Sequence, residues 1–282
     1  MKKLMWVSCV FAMILCGCSA HQTDQIEPYS VLLGSTPDHN QEEPNGKLLY
    51  DLLRQASAST VNTYQETGFV VDRYSGANHL KTLVFEQDGW TYCIDERFNY
   101  LDSIPTVITI KRFKDNEQEL ISLNMNEDGS YQTAEFVTRK PEVNGDKMVV
   151  MEQPILEAVG DDGFAMIEKF PDYFIVWKET DEQIEDPLTI ILWTITDRQE
   201  LKERLSSSEF KKTGMIFSQG LPLRIECNSE GTIIRWSTVS GDDKKGEIYP
   251  SGNLDKGFYA DLMDQHPSEN EIISVPENAF LD

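Results

Sequence analysis

The sequence has few basic residues, few cysteines and only one long apolar run. Lys and Arg number 25 against 48 Asp and Glu, which gives a formal net charge of −23. Binding to nucleic acid depends on clustered Lys and Arg, so this balance argues against a nucleic-acid partner. The long apolar run covers residues 4–16, which is too short for a membrane-spanning helix and excludes a multi-pass membrane protein. Hydrophobic residues still make up 40% of the chain, and this is enough for a globular core.

Several motifs that carry chemistry are absent from the sequence. It contains no H-E-x-x-H, no G-x-S-x-G, no phosphate-binding G-x-x-x-x-G-K-[ST] and no C-x-x-C. The four histidines are scattered along the chain, at His21, His39, His79 and His266. We therefore predict no cofactor, no metal and no catalytic residue. A hydrolase that uses two carboxylates needs no local motif, and it stays open as an alternative.

The strongest signal in the sequence lies in its first eighteen residues. Met1-Lys2-Lys3 forms a short positive stretch, Leu4–Cys16 is apolar, and Leu15-Cys16-Gly17-Cys18 follows. This order is typical of a secretory signal peptide. The last four residues resemble the bacterial lipobox, which has an apolar residue at −3, a small residue at −1 and a cysteine at +1.

The lipobox resemblance implies that a diacylglyceryl group is transferred to the Cys18 thiol and that the chain is cleaved after Gly17. Only a thiol at that position forms the thioether, so Cys18 is the predicted lipid-attachment residue. Stable anchoring takes two or more acyl chains of the palmitate type. The resemblance thus implies a lipoprotein on the extracytoplasmic side of a membrane of the bacterial cell envelope. The alternative is an ordinary cleaved signal peptide with incidental cysteines.

The remainder of the chain divides into a tether and a body. Residues 18–46 are rich in Gln, Asn, Pro, Ser and Glu and contain no Lys or Arg, which favours an extended acidic coil. Residues 47–282 contain no internal repeat and no Pro/Gly-rich linker that would divide them. We therefore predict a signal peptide over 1–17, a flexible tether over 18–46 and a single α+β body over 47–282.

The body is predicted to be a curved antiparallel β-sheet with a few short helices. Apolar residues alternate with polar ones from Trp90 to Asp95, which is typical of strands. The runs Tyr173–Trp177 and Leu188–Ile195 are almost entirely apolar, and strands of this kind are usually covered on both faces. Three hairpin turns are predicted, at Gln87-Asp88-Gly89, Glu127-Asp128-Gly129 and Ser229-Glu230-Gly231. Helices are predicted at Lys47–Ala56, Asp197–Leu205 and Phe258–Met263, and a terminal strand at Glu271–Val275.

One local pattern matches the spacing of a calcium-binding loop. Asn124–Glu135 has oxygen ligands at positions 1, 3, 5 and 12 and a glycine at position 6. Position 1 is Asn instead of Asp, and both flanks read as strands instead of helices. We interpret the segment as a hairpin turn and expect no calcium site.

Two cysteines and four tryptophans in the body leave alternatives open. Cys93 alternates with polar Thr91 and Asp95, whereas Cys227 shares a strand face with apolar residues. These different phases favour two separate free thiols over a disulfide. The tryptophans in strand-like runs are Trp90, Trp177, Trp193 and Trp236. They fit either plain core packing or an apolar groove in the sheet.

The order of elements resembles that of the lipoprotein-carrier-like (LolA-like) half-barrel lipoproteins. An anchored cysteine, a tether, one amphipathic helix and a long antiparallel meander carry this resemblance, and it covers residues 47–282. It implies a strongly curved sheet that wraps helices and binds acyl chains, and it transfers no site residue by position. The predicted function is a non-catalytic binding or sensing module for an apolar ligand or an envelope protein. A lipid-anchored hydrolase with carboxylate acid–base chemistry and a structural envelope protein are the alternatives.

Overall fold

A computed structural model describes residues 43–75, 78–99, 104–115, 117–140, 147–160, 163–181, 186–206, 223–238 and 244–281. The described residues all belong to one compact unit, Glu43–Asp282. Residues 1–42, with Cys18 and the predicted signal peptide, lie outside the described residues. Among the helices of the described residues, none combines the length and the apolar character needed to cross a membrane.

In the described residues, twelve strands form a single antiparallel sheet. They are β1 (Phe69–Ser75), β2 (Asn78–Gln87), β3 (Trp90–Phe98), β4 (Val107–Lys114), β5 (Glu117–Met125), β6 (Tyr131–Arg139), β7 (Phe174–Asp181), β8 (Leu188–Ile195), β9 (Leu223–Cys227), β10 (Ile233–Thr238), β11 (Lys244–Pro250) and β12 (Ile272–Ile273). Their order across the sheet is β12-β6-β5-β4-β3-β2-β1-β11-β10-β9-β8-β7. Strands β12 and β7 are the two edges, so the sheet is open and does not close into a barrel.

Five α-helices accompany the sheet in the described part of the chain. They are α1 (Gly46–Tyr64), α2 (Lys147–Gly160), α3 (Gly163–Lys169), α4 (Arg198–Ser206) and α5 (Lys256–Gln265). The sequence predicted α1, α4 and α5, with α1 and α5 shorter than observed, and it did not predict α2 or α3. Asp197 caps the start of α4, because its Oδ1 accepts a hydrogen bond from the Glu200 amide at 2.8 Å.

The sheet is curved, and helices lie on its concave face. Helix α1 contacts β7 and β10, whereas its neighbour α2 contacts β1, β2, β3 and β4. Strands β4 and β7 stand eight places apart in the sheet, which is about 38 Å in a flat sheet. Packed helices lie only about 8–10 Å apart, so the sheet must bend around this pair to reach both helices. The predicted fold class, a curved antiparallel sheet with a few short helices, is confirmed.

Each face of the sheet carries its own apolar core. The concave core joins the helices to strands on both sides of β1, and it includes Leu49, Leu53, Val84, Met151, Ile155, Phe174, Ile191, Ile225 and Trp236. The convex core lies under α5 and the segment that follows it, and it includes Leu83, Phe85, Ile94, Ile110, Ile121, Tyr259 and Met263. Successive residues of a strand point to opposite faces, so Val84 and Leu83 belong to different cores.

Strands β7 and β8 are buried on both faces, as their continuous apolar runs predict. Their concave-face residues include Phe174, Val176, Ile191 and Trp193. Their other face buries Ile175, Ile190 and Leu192. The prediction of two-sided burial is therefore confirmed for both strands.

The three predicted hairpin turns are also confirmed. Asp88 and Gly89 have φ values of 53° and 76°, which is the left-handed pair that a tight hairpin between β2 and β3 requires. Gly129 and Gly231 have φ values of 83° and 79°. The run Asn124–Glu135 joins β5 to β6, so its interpretation as a hairpin turn is confirmed.

Candidate ligand-binding site

The concave face of the sheet changes from fully buried to half-buried between β3 and β4. One cross-strand row runs through Val84, Cys93, Lys111, Leu120 and Val137. The first two side chains are buried, and the last three are half-buried. The contacts of α2 with the sheet reach as far as β4. Among the described helices, cover of this face therefore decreases from β4 towards β5 and β6.

We call the half-buried part of this face the concave patch. It consists of Val107, Thr109, Lys111, Leu120, Ser122 and Val137. Three of these side chains are aliphatic, two carry a hydroxyl and one is a cation. A half-buried surface of this composition suits a ligand with an apolar body and a few polar atoms.

An ion pair marks the boundary between the buried core and the concave patch. Asp95 accepts a hydrogen bond from the Thr82 hydroxyl at 2.7 Å and one from Lys111 Nζ at 2.9 Å. The Asp95 side chain is 13% exposed and that of Lys111 is 32% exposed. A carboxylate this far from water is costly unless it is paired, and these two donors compensate it. The pair also neutralises the Lys111 charge within the patch.

The two body cysteines are free thiols, and both are buried in the concave core. The preference for free thiols over a disulfide is confirmed. The interpretation that Cys93 and Cys227 face different environments is wrong. Polar Asp95 shares a strand face with Cys93, but α2 covers that face near Cys93 and makes it part of the apolar core.

Burial of Cys227 predicts a loss of stability at alkaline pH. It raises the pKa of the folded thiol from 9.0 to about 12. Below pH 9 this contribution to stability is complete, and it is lost as the pH rises from 9 to 12, because the unfolded thiol ionises first. We expect urea unfolding to show that the free energy of unfolding falls less steeply with pH in Cys227→Ala than in the unmodified protein. The two slopes should differ by at most the equivalent of one bound proton per molecule. Equal slopes for the two proteins would contradict this assignment.

The adjacent acidic residues Asp95 and Glu96 of β3 point to opposite faces of the sheet. Asp95 lies on the concave face, whereas Glu96 is fully buried on the convex face. Glu96 Oε1 lies 3.0 Å from the Tyr259 hydroxyl, and Glu96 Oε2 accepts a hydrogen bond from the Leu281 amide at 3.1 Å. A two-carboxylate hydrolase needs both groups in one cleft, so Asp95 and Glu96 do not form such a pair. Within the residues that the structure describes, no cluster of three or more His, Cys, Asp or Glu is arranged to hold a metal ion.

The convex face holds two polar clusters that the sequence did not suggest. His79 lies 2.9 Å from Asp72 and is stacked between Tyr74 and Phe98, with ring centroids 4.1 and 4.8 Å away. Burial raises the pKa of Asp72, although His79 opposes this shift. Asp72 and His79 are seven residues apart and lie on the neighbouring strands β1 and β2. The register of the two strands brings their side chains together.

The second convex cluster surrounds Arg112, whose side chain is almost completely buried. Its guanidinium donates to Glu119 at 2.6 Å and to Asp264 at 2.5 Å, and it lies 4.4 Å from the centre of the Trp90 ring. Asp264 belongs to α5, so this cluster fixes the end of α5 on the sheet. Its role in holding the fold explains its burial without any ligand.

The tryptophans take no part in the concave patch. Trp193 and Trp236 are buried in the concave core, and Trp90 packs beside the convex core. Core packing, the first of the two interpretations from the sequence, is confirmed for Trp193 and Trp236. The patch is lined by aliphatic side chains instead of aromatic ones.

The hairpin at Asn124–Glu135 is expected to bind no calcium. Asp128, at ligand position 5, already accepts hydrogen bonds from the amide and hydroxyl of Ser130 at 3.0 and 2.6 Å. Glu135, at ligand position 12, lies on a strand. A strand does not hold this ligand in place as the helix that follows a calcium-binding loop does. Calorimetry with calcium should show no micromolar binding, and a micromolar heat that vanishes in Glu135→Gln would contradict this prediction.

Comparison with known proteins identifies no family. No protein-family model matches the chain, and no curated protein matches it. One of the solved structures that match is a β-barrel-like protein from Brucella abortus, described as a domain of unknown function. It is 9% identical, with a TM-score of 0.18, and the match covers 66% of this chain and 97% of that one. A likeness this weak supports no argument about structure or function.

Proposed function

We propose that this protein is a lipid-anchored extracytoplasmic binding protein whose concave patch holds an apolar ligand without chemical turnover. The anchor is the Cys18 thiol, on the basis of Leu15-Cys16-Gly17-Cys18 after an apolar run. The ligand is a small molecule or a segment of an envelope protein. The acidic chain has little electrostatic attraction to an anionic membrane surface, so its attachment depends on acyl chains.

The half-burial of Val107, Leu120 and Val137 is the observation that supports this proposal. These side chains belong to the same face as the concave core, yet they keep part of their surface accessible. Burying apolar area yields about 25 cal/mol per Å², so covering these three side chains with an apolar ligand is favourable. The curvature of the sheet places them in a concave setting, where a ligand is contacted from more than one side.

The polar groups near the patch favour binding over catalysis. Asp95, paired in register with Thr109 of the patch, is already held by Thr82 and Lys111. A general base must reach the proton that it removes, and this carboxylate is directed to its own partners. The hydrolase alternative requires two carboxylates within about 5–9.5 Å of each other. Glu135 lies on the same face as Asp95 but three strands away, which is about 14 Å.

An acidic residue in the concave patch is expected to abolish apolar binding. We predict that Leu120→Asp weakens binding of the neutral fluorescent probe N-phenyl-1-naphthylamine by at least about tenfold, because a carboxylate must be desolvated against the probe. The protein used is the chain from residue 19 onward, which keeps the whole compact unit Glu43–Asp282. The measurement is a fluorescence titration at constant protein concentration.

Leu48→Asp is the matched control for this titration. Leu48 is 49% exposed on α1, and an acidic residue in the first turn of a helix is well tolerated. The control should bind the probe as tightly as the unmodified protein, and thermal unfolding should show that both variants are folded. Equal binding by Leu120→Asp and Leu48→Asp would contradict the proposed site, and no binding by the unmodified protein would contradict the function.

A further inference from the structure

The concave face carries an exposed arginine beside the apolar residues of the patch. Arg97 on β3 is paired in register with Leu80 on one side and Val107 on the other. All three residues point to the concave face, and Leu80 and Val107 are half-buried. Directly paired side chains in antiparallel strands have their Cβ atoms about 5 Å apart. The aliphatic stem of Arg97 is therefore flanked by apolar side chains, with its guanidinium at the edge of the patch.

Arg97 differs from the buried arginines of the sheet in its lack of a carboxylate partner. Arg112 pairs with Glu119 and Asp264, and Arg224 pairs with Glu226. In the part of the chain that the structure describes, Arg97 takes part in no ion pair. Acidic residues outnumber basic ones almost two to one, so acidic side chains are plentiful on this chain. An unpaired cation beside the concave patch suits an anion supplied by a ligand.

The other cation of the patch does not compete for this role. Lys111 is paired with Asp95 at 2.9 Å, so the two charges cancel locally. Lys111 lies four residues along β4 from Val107, which is about 13 Å. Two further charged residues lie on this face of β6, where Glu135 is paired in register with Ser122 and Arg139 with Gln118. Arg97 lies beside Val107, at the opposite end of the patch from Arg139.

We propose that the ligand is an anionic amphiphile whose carboxylate or phosphate group binds Arg97 and whose apolar tail lies across Val107, Leu120 and Val137. This inference rests on the proposed function and specifies the chemical class of the ligand. The planar guanidinium donates two parallel hydrogen bonds to a carboxylate or a phosphate. The tail runs along β4 and β5 from Val107, past Thr109 and Ser122, to Leu120 and Val137.

Calorimetric titration with three single-chain probes tests this inference. The probes are dodecanoate, dodecyl phosphate and neutral dodecanol, each below its aggregation concentration, with the chain from residue 19 onward. We expect at least one anion to bind about tenfold or more tightly than dodecanol, and we expect Arg97→Gln to remove that advantage without changing the affinity for dodecanol. The control is Arg235→Gln, at an arginine that is 56% exposed and lies on the opposite face of β10, and it should leave all three affinities unchanged.

The possible outcomes separate this inference from the function on which it rests. Equal affinities for the anions and for dodecanol would overturn the inference and leave the proposed function standing. An anionic preference that persists in Arg97→Gln, or that is lost in Arg235→Gln as well, would also overturn it. If none of the three probes bound, both proposals would fail. The anion with the tighter binding identifies the head group as a carboxylate or a phosphate.

Discussion

Replacing Cys18 with serine is expected to abolish acylation and to release or mislocalise the protein. The thioether to diacylglycerol forms only on a thiol, and a serine hydroxyl at the same position does not substitute for it. Metabolic labelling with an alkynyl fatty acid, followed by membrane fractionation, measures both effects. The unmodified protein should be labelled and sediment with membranes, and Cys18→Ser should lose the label.

Cys16→Ser provides a matched control for the Cys18 experiment. Cys16 is two residues away and occupies a position where a small residue is sufficient. It should therefore be labelled as strongly as the unmodified protein. Equal labelling of the unmodified protein and Cys18→Ser would contradict the lipobox interpretation, and loss of label in both variants would show that the effect is not specific to Cys18.

Replacing Glu96 with alanine is expected to lower the free energy of unfolding by about 1–3 kcal/mol, because removing the carboxylate leaves the buried Leu281 amide without its acceptor. Glu96 is fully buried, and it is paired in register with Lys81 on β2. Lys81 Nζ donates to the Leu281 carbonyl at 2.6 Å, and the Leu281 amide donates to Glu96. The variant leaves the Lys81 charge without its neighbouring carboxylate and frees the Leu281 amide.

Urea unfolding and amide hydrogen exchange test the role of Glu96 separately. The Leu281 amide should exchange slowly in the unmodified protein and quickly in Glu96→Ala. Glu117→Ala is the control, because Glu117 is an exposed acidic residue at the start of β5, and its effect should stay within about 0.5 kcal/mol. A loss below 1 kcal/mol in Glu96→Ala, with Leu281 still protected, would show that the buried carboxylate does not hold this segment.

The sequence predicts most of the sheet because strand periodicity and turn chemistry are local properties. The alternation of apolar and polar residues around Trp90 depends only on residues a few positions apart. The same holds for the glycine turns at Gly89 and Gly129. Helix α2 was missed for an equally local reason. Its residues Lys147–Gly160 are apolar with little one-sided pattern and contain Pro154, which usually argues against a helix interior. Burial between α1 and the sheet overrides that weak signal.

The candidate site depends on properties that periodicity does not encode. Asp95, Lys111 and Thr82 come from three strands, and only the register of β2, β3 and β4 brings them together. The sequence marks the odd-numbered face of β3 as polar, but it does not show that this face is concave or where α2 ends. The same reason explains why Cys93 was assigned to a polar face.

The position of a bound apolar probe shows directly whether the concave patch is the ligand-binding site. Methyl NMR of the chain from residue 19 onward, titrated with a neutral spin-labelled alkane such as 10-doxylnonadecane, reports which side chains lie near the probe. The methyl signals of Val107, Leu120 and Val137 should broaden, while that of the exposed residue Leu48 on α1 should not. Equal broadening at Leu48, or no broadening at the concave patch, would contradict the assignment of this face as the binding site.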